Sequence, residues 1–360
     1  MGQRERDICK GFPHVKNFWT RGVLVSPPHD TVRRIFRELK SLASFPQVTR
    51  EDVVEAAKRI SGAVERTPLV ETRIRGHRLW LKCESRQVGG SFKLRGATNR
   101  LMQLDEAERA LGVVAFSSGN HAQGVAIAAR RLGIPAIIVM PADAPALKVE
   151  GTRSQGADIV FFDRRTESRE EIAARIAAEK GLVVVPSFED PAIVAGQGTA
   201  GLEILEQLAE AGAGQPAQIL VNCGGGGLSA GIALACPDAS IVVVEPEGWD
   251  DMRKSLEKGE IEPVPADAPP TLCDALQTPR VSPITFGILK ERGARGLAVT
   301  EAEVVAAVRW AWEEHQLTVE PGGAVSIAAL LAGKADIIPE TVVLVSGGNI
   351  DPALHARLVG

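Results

Sequence analysis

The chain has 360 residues, of which 45% are hydrophobic, and a formal net charge of -4. That length exceeds the size at which one core stops growing, so two lobes are expected. Mild acidity without a basic stripe interleaved with aromatics leaves no case for nucleic acid, and no apolar run reaches the roughly 18 residues needed to span a bilayer.

Residues 1–46 carry Pro13, Pro27, Pro28 and Pro46 and show little periodicity. They read as a peripheral N-terminal extension in which residues 32–42 can form a short amphipathic helix. The charged start Arg4-Glu5-Arg6-Asp7 lacks the apolar core of a secretion signal. Five widely spaced cysteines, Cys9, Cys83, Cys223, Cys236 and Cys273, with no Cys-x-x-Cys, suit free thiols in a reducing cytoplasm.

From Thr49 the pattern becomes regular. Thr49-x-x-Asp52 has the form of a capping box with Asp in place of Glu, opening a helix that runs over 53–60. Apolar runs then alternate with helical segments. Strands are predicted at 113–116, 136–140, 159–162, 182–185, 219–221, 241–244 and 342–345. Helices are predicted at 124–132, 169–180 and 301–315, with a small-residue helix from about Ser229. Pro265-Ala266-Asp267-Ala268-Pro269-Pro270 marks a surface loop. Such alternation predicts parallel α/β sheets with ligands at the carboxyl ends of strands.

Four stretches carry candidate chemistry. Gly89-Gly90-Ser91-Phe92-Lys93-Leu94-Arg95-Gly96-Ala97 sets a lysine among small residues and a ring. A Schiff-base lysine must be neutral part of the time and needs shelter; alone, the segment reads equally as a solvated lysine at a helix start. Ser117-Ser118-Gly119-Asn120-His121 follows an apolar strand, where free backbone N–H groups can hold an anion such as a carboxylate or simply form a helix cap. Gly224, Gly225, Gly226 and Gly227 follow another strand. A glycine run before a helix lets backbone approach a phosphate, the alternative being a flexible linker. It is not a P-loop, since Gly-Lys-Ser/Thr is absent. Ser346-Gly347-Gly348-Asn349 follows a third such strand and, alone, is also a plain turn.

In this order the four stretches resemble the fold-type II pyridoxal 5'-phosphate (PLP) enzymes, and within them the threonine/serine dehydratase and serine racemase family. The resemblance covers about residues 49–352, with Gly196-Gln197-Gly198-Thr199 and Glu320-Pro321-Gly322-Gly323-Ala324 adding to it. It implies a tryptophan synthase β-like α/β fold of two open, twisted, mostly parallel sheets flanked by helices. The large PLP-binding domain would take residues 47–111 and 190–360, and a small mobile domain residues 112–189.

The resemblance also implies roles. Lys93 would carry PLP as a Schiff base and move the substrate's Cα proton, with Ser118 as the acid/base on the opposite face. Phe92 would pack near the ring, Asn120 would bond its 3-oxygen, Gly224–Gly227 would hold the phosphate and Ser346 would face the pyridine nitrogen. Ser117, Ser118, Asn120 and His121 would surround the substrate carboxylate, and Arg169 would approach it as the small lobe closes. The implied activity is dehydration and deamination of L-threonine or L-serine to a 2-oxo acid and ammonia. Serine racemisation, or dehydration of another β-hydroxy amino acid such as 3-hydroxyaspartate or a hydroxyectoine-derived compound, stands as the alternative.

Glu245-Pro246-Glu247-Gly248-Trp249-Asp250-Asp251 resembles the divalent-cation loop of serine racemase. It implies Mg2+ or Ca2+ held by Glu245, the carbonyl of Trp249 and Asp251, a hard-oxygen set suited to those ions; an acidic solvated loop is the alternative. Cys273-Asp274-Ala275 stands where relatives more usually open with Asp-Gly, so an unusual substrate is expected. The short tail after Ser346 leaves no room for the regulatory domain of biosynthetic threonine dehydratases, which favours a catabolic enzyme. The family implies a homodimer with a small amino acid as its ligand.

Overall fold

The computed structural model describes residues 47–360 apart from Ser118, Pro145 and the side chain of Leu147. The N-terminal extension, its candidate helix and Cys9 lie outside the described residues. The described chain opens with α1 (Arg50–Ile60), whose cap is the one read from sequence: Thr49 Oγ1 accepts from the Asp52 N–H, and the Asp52 carboxylate accepts from the Thr49 N–H. Next come β1 (Leu69–Ile74), β2 (His77–Cys83), α2 (Lys93–Met102), α3 (Glu106–Leu111) and β3 (Val113–Phe116). Then follow α4 (Asn120–Leu132), β4 (Ala136–Pro141), α5 (Ala146–Arg153), β5 (Asp158–Phe162), α6 (Arg169–Lys180), β6 (Val183–Val184) and α7 (Pro191–Glu210). The rest is β7 (Gln218–Asn222), α8 (Gly227–Ala235), β8 (Ser240–Pro246), α9 (Asp251–Lys258), α10 (Pro283–Glu291), β9 (Arg295–Val299), α11 (Glu301–His315), α12 (Pro321–Leu331), β10 (Thr341–Val345) and α13 (Pro352–Val359).

Among the described residues the strands form a six-stranded sheet of order β1-β2-β10-β7-β8-β9 and a four-stranded sheet of order β5-β4-β3-β6. Every pairing is parallel except β1 with β2. This is the mostly parallel α/β architecture expected. Both faces of each sheet are covered, as parallel sheets require. On β7, Ile219 and Val221 enter one core while Leu220 enters the other; on β10, Val342 and Leu344 separate from Val343 and Val345 in the same way. The four-stranded sheet repeats the pattern, with Ile138 and Met140 on one side and Val139 on the other.

The hairpin β1–β2 was not predicted, because its outer strand is half polar and shows no clean alternation. Its turn carries the signal instead: Arg75 and Gly76 both have positive φ, 53° and 81°, between the paired Ile74 and His77, which is the two-residue turn that matches strand twist. Helix α4 begins at Asn120, four residues earlier than the apolar pattern suggests, so Asn120 and His121 lie in its first turn. Among the described residues no helix is long and apolar enough to cross a membrane. Cys83, Cys223, Cys236 and Cys273 are free and buried.

Candidate active site

The carboxyl ends of β3, β7 and β10 and the start of α2 open on one cavity of about 450 Å3. Its walls bring together Phe92, Lys93, Ser117, Asn120, His121, Arg169, Gly224–Gly227 and Ser346. Ser118 lies outside the described residues.

Lys93 is the first residue of α2, and its place is set by three anchors. The Phe92 N–H donates to the Ser346 carbonyl at 3.2 Å, and Ser91 forms a β-bridge with Gly347. Behind it, α2 crosses α7 closely: a Cβ on Gly96 would fall 2.5 Å from Gln197 Nε2, and one on Gly196 would fall 2.6 Å from the Gly96 Cα. Two residues on, Arg95 is fully buried against Glu84 and Glu203. Lys93 Nζ donates to the Ser187 carbonyl at 3.2 Å and sits 5.2 Å from the centre of the Phe92 ring. Burial lowers the ammonium to about 8, opposed by the Glu320 carboxylate. A half-buried lysine whose amine is pushed down toward neutral pH suits Schiff-base chemistry.

Gly224–Gly227 link β7 to α8. Gly226 has φ +86°, and a Cβ on Gly225 would lie 2.3 Å from the Phe188 ring. The Thr285 hydroxyl pins the loop by donating to the Gly225 carbonyl at 2.8 Å. The turn therefore presents bare backbone N–H groups at a helix N-terminus, an anion cradle. Ser346 follows β10 and is buried. Its Oγ accepts from Asn222 Nδ2 at 2.9 Å. Asn222 is held in turn by the Gly323 carbonyl and the Ser326 N–H. With its oxygen so engaged, the Ser346 hydroxyl keeps its proton to donate into the cavity.

His121 Nε2 lies 2.9 Å from the Val185 carbonyl; a carbonyl only accepts, so that nitrogen carries the proton. Burial, then the nearby Lys93 charge, push its pKa down to about 3, with the Val185 bond opposing. It is a neutral ring and no acid near pH 7. Arg169 opens α6; its Nε donates to Glu170 at 2.8 Å and its guanidinium lies 5.6 Å from the Phe116 ring. The cavity further includes residues to which sequence reasoning attached no role: Asn222, Glu320, Lys148 and Arg280. Lys148 pairs with Asp274, in the stretch after Cys273 from which an unusual substrate is expected, and residues 274–279 of that stretch line the cavity. Asn222 had a faint signal, a polar residue closing an otherwise apolar strand.

Glu245, Trp249 and Asp251 stand apart from this cavity. The Glu245 carboxylate, at the end of β8, accepts the Met252 and Arg253 N–H groups of α9 at 3.0 and 2.8 Å. Both oxygens of Asp251 are buried without a hydrogen-bond partner among the described residues. Burial first, and then Asp251, raise the Glu245 pKa well above the usual range; burial raises Asp251 to about 7. Two crowded, dry carboxyls, one of them unpartnered, fit a divalent cation. No group of three or more His, Cys, Asp and Glu side chains with metal-binding geometry occurs among the described residues.

A sheltered amine, a phosphate cradle and a hydroxyl donor around one cavity also fit PLP. Comparisons point the same way. The family described as "Pyridoxal-phosphate dependent enzyme" matches residues 60–348. The L-threo-3-hydroxyaspartate ammonia-lyase of Pseudomonas sp is 44% identical over 317 residues, covering 86% of this chain and 97% of that protein. The L-threonine ammonia-lyase of Thermotoga maritima is 39% identical over 321 residues, covering 87% and 78%. Among solved structures, maize serine racemase superposes with a TM-score of 0.80 at 35% identity, over 86% of this chain and 96% of that one. Fold, cavity chemistry and kinship agree, and the chain belongs to the pyridoxal-phosphate dependent enzyme family, in the group of fold-type II ammonia-lyases and racemases.

Proposed function

We propose that this protein is a PLP-dependent ammonia-lyase that converts a small β-hydroxy amino acid to a 2-oxo acid and ammonia. The observation that carries the reading is Lys93: a half-buried lysine in one cavity with the Gly224–Gly227 turn and Ser346, its amine pushed down to about 8. PLP, when bound, supplies the electron sink that lets a Cα–H bond ionise. The chain's own residues do the rest. Lys93 takes the Cα proton, and burial, which lowers its ammonium toward neutral pH, favours the neutral amine that this needs. Phe92 would back the cofactor ring, and the Gly224–Gly227 N–H groups would hold its phosphate. Ser346, a neutral donor, would face the pyridine nitrogen and leave it without a full positive charge, which would favour loss of the β-hydroxyl over transamination. The Ser117–His121 turn receives the substrate carboxylate on the first-turn N–H groups of α4. Arg169 closes on it from α6. Ser118 is the second-face acid/base, and a racemase side activity rests on it.

Serine, threonine and 3-hydroxyaspartate all carry the required hydroxyl. We put L-threo-3-hydroxyaspartate first, because Arg280 lines the cavity and, unlike Lys148 and Arg169, is in no ion pair among the described residues, so it can offset a second carboxylate. The relative of that name supports the order. The same reading takes residues 112–189 as a small lobe that closes on the substrate and Glu245, the Trp249 carbonyl and Asp251 as ligands of Mg2+ or Ca2+. It also takes the assembly to be a cytoplasmic homodimer.

A panel of the three amino acids, read by 2-oxo acid release and by chiral analysis of the residual substrate, tests it. The expected order of kcat/KM puts 3-hydroxyaspartate ahead of threonine and serine. No 2-oxo acid from any of the three refutes the lyase reading.

A further inference from the structure

Asn349, the last residue of the Ser346–Asn349 stretch, has no role in the reaction described above, yet three chemical stretches meet at its amide. Asn349 Nδ2 donates to the Gly89 carbonyl at 2.8 Å, 260 residues away in sequence. The same nitrogen donates to Asn120 Oδ1 at 2.7 Å, 229 residues away. Asn120 Nδ2 then donates to Glu320 Oε1 at 2.5 Å. Close packing leaves this set little freedom. A Cβ on Gly90 would lie 2.2 Å from Asn349 Oδ1, and one on Gly347 would lie 2.1 Å from Glu320 Oε1 and 3.1 Å from Asn120 Nδ2.

The order of donors and acceptors decides which way Asn120 points. A peptide carbonyl can only accept, so Gly89 selects the amino end of Asn349. Both N–H bonds of that amino group are then used, one on Gly89 and one on Asn120. Only the carbonyl end of Asn120 can face it. Asn120 therefore turns its amino end toward Glu320 and the cavity. One N–H goes to Glu320, and the other remains for whatever fills the cavity. Turned the other way, Asn120 would set a carbonyl oxygen beside the Glu320 carboxylate and present an acceptor to the cofactor's ring oxygen, which is itself an acceptor.

We propose that Asn349 is a positioning residue: it transmits the polarity of the Gly89 backbone carbonyl to Asn120, so that Asn120 meets the cofactor's ring oxygen as a hydrogen-bond donor. The inference rests on the PLP reading of the cavity and assigns to Asn349 a task that reading does not contain. Asn349 is not among the residues that line the cavity; its effect passes through Asn120. It also ties the loop that carries Lys93 to the turn that carries Asn120, so the amine and the ring-oxygen donor are held at one spacing.

The test is cofactor affinity of the apoprotein, measured by titration with PLP and followed by the visible absorption of the bound form. Asn349→Asp keeps size and shape but has no proton to give to Gly89 or Asn120. It should raise the PLP dissociation constant at least about tenfold and move the absorption band, because the ring-oxygen contact sets that band. In an Asn120→Ala background the same substitution should change affinity by less than about threefold, since the group it acts through is gone; coupled residues behave this way in a double-mutant cycle. Asn349→Ser, which keeps one donor too short to reach both partners, serves in place of the Asp variant if that one is not recovered folded. Unchanged affinity and band in Asn349→Asp overturn the proposal. So does a full tenfold loss that persists in the Asn120→Ala background, because Asn349 would then act on the fold at large. Failure of the unsubstituted apoprotein to bind PLP overturns instead the cofactor reading beneath it.

Discussion

Arg95→Met should destabilise the protein by about 3–5 kcal/mol, the cost of breaking a buried ion pair from one side. Arg95 lies two residues after Lys93 and its side chain is fully buried. Its Nε and Nη2 donate to the two oxygens of Glu84 at 2.7 and 2.9 Å, and Nη1 and Nη2 donate to Glu203 at 2.6 and 2.9 Å. Lys82, buried on the other side, donates to Glu203 at 2.6 Å. Two cations thus balance two anions. Burial works to raise the Glu84 pKa, but the charge and hydrogen bonds of Arg95 win and hold it below the ordinary carboxylate value. Methionine fills the volume and removes the charge, so Glu84 is left dry and anionic or must take up a proton. The assay is thermal or urea unfolding of the holoenzyme, with a fall in Tm of roughly 5–10 °C expected for a body of this size. Arg95→Met combined with Glu84→Gln removes the orphaned charge and should recover at least about half of the loss, since Lys82 and Glu203 still balance. A loss below about 1 kcal/mol in the single variant, or a double variant as unstable as the sum of its parts, would show that the quartet is not an electrostatic unit.

Lys93→Ala should remove the visible absorption of bound PLP and lower turnover by at least about 10²–10⁴-fold, the usual worth of a placed proton-transfer group; turnover at wild-type level contradicts the assignment. His121 gives a pH prediction. Its folded pKa is depressed to about 3 from the ordinary 6.5 of a free imidazole, so between these values the unfolded chain binds a proton that the native protein does not. Stability from this residue is complete above pH 6.5 and is lost as pH falls toward 3. From pH 6.5 to 5 the loss should be about 1.5 kcal/mol, and His121→Asn should remove that part of the slope; an identical slope in both proteins rules it out. Chelation should lower stability by about 2.7 kcal/mol where the free cation stands at 100 times its Kd, read as a fall in Tm that Mg2+ or Ca2+ restores. No shift, together with no metal found by elemental analysis, removes the cation from Glu245 and Asp251.

Several elements were legible without tertiary structure because their causes are local. The Thr49–Asp52 cap, the helices Arg169–Lys180 and Glu301–His315 and the strand Val113–Phe116 occur as their patterns indicate, since capping and hydrophobic periodicity depend on neighbours a few residues away. The site was legible for a related reason. Small residues after an apolar strand mark the carboxyl end of a parallel sheet, where ligands gather, and three such stretches are visible as text beside the lysine segment. The hairpin β1–β2 escaped because one of its strands lacks alternation. The start of α4 escaped because Asn120 and His121 are polar residues inside a first turn.

What only tertiary structure decided is how the stretches face one another. Nothing local places β10 between β2 and β7, yet that order sets Ser346 beside Asn222, 124 residues away, and brings Asn349 to both Gly89 and Asn120. A hydrogen bond has a direction, and here that direction is inherited through partners hundreds of residues apart. The sequence alone determines that an amine, an anion cradle and a polar amide exist at strand ends. Strand order and close helix crossing decide which end of the amide faces the cavity, and that the Ser346 hydroxyl, its oxygen taken by Asn222, meets the cavity as a donor.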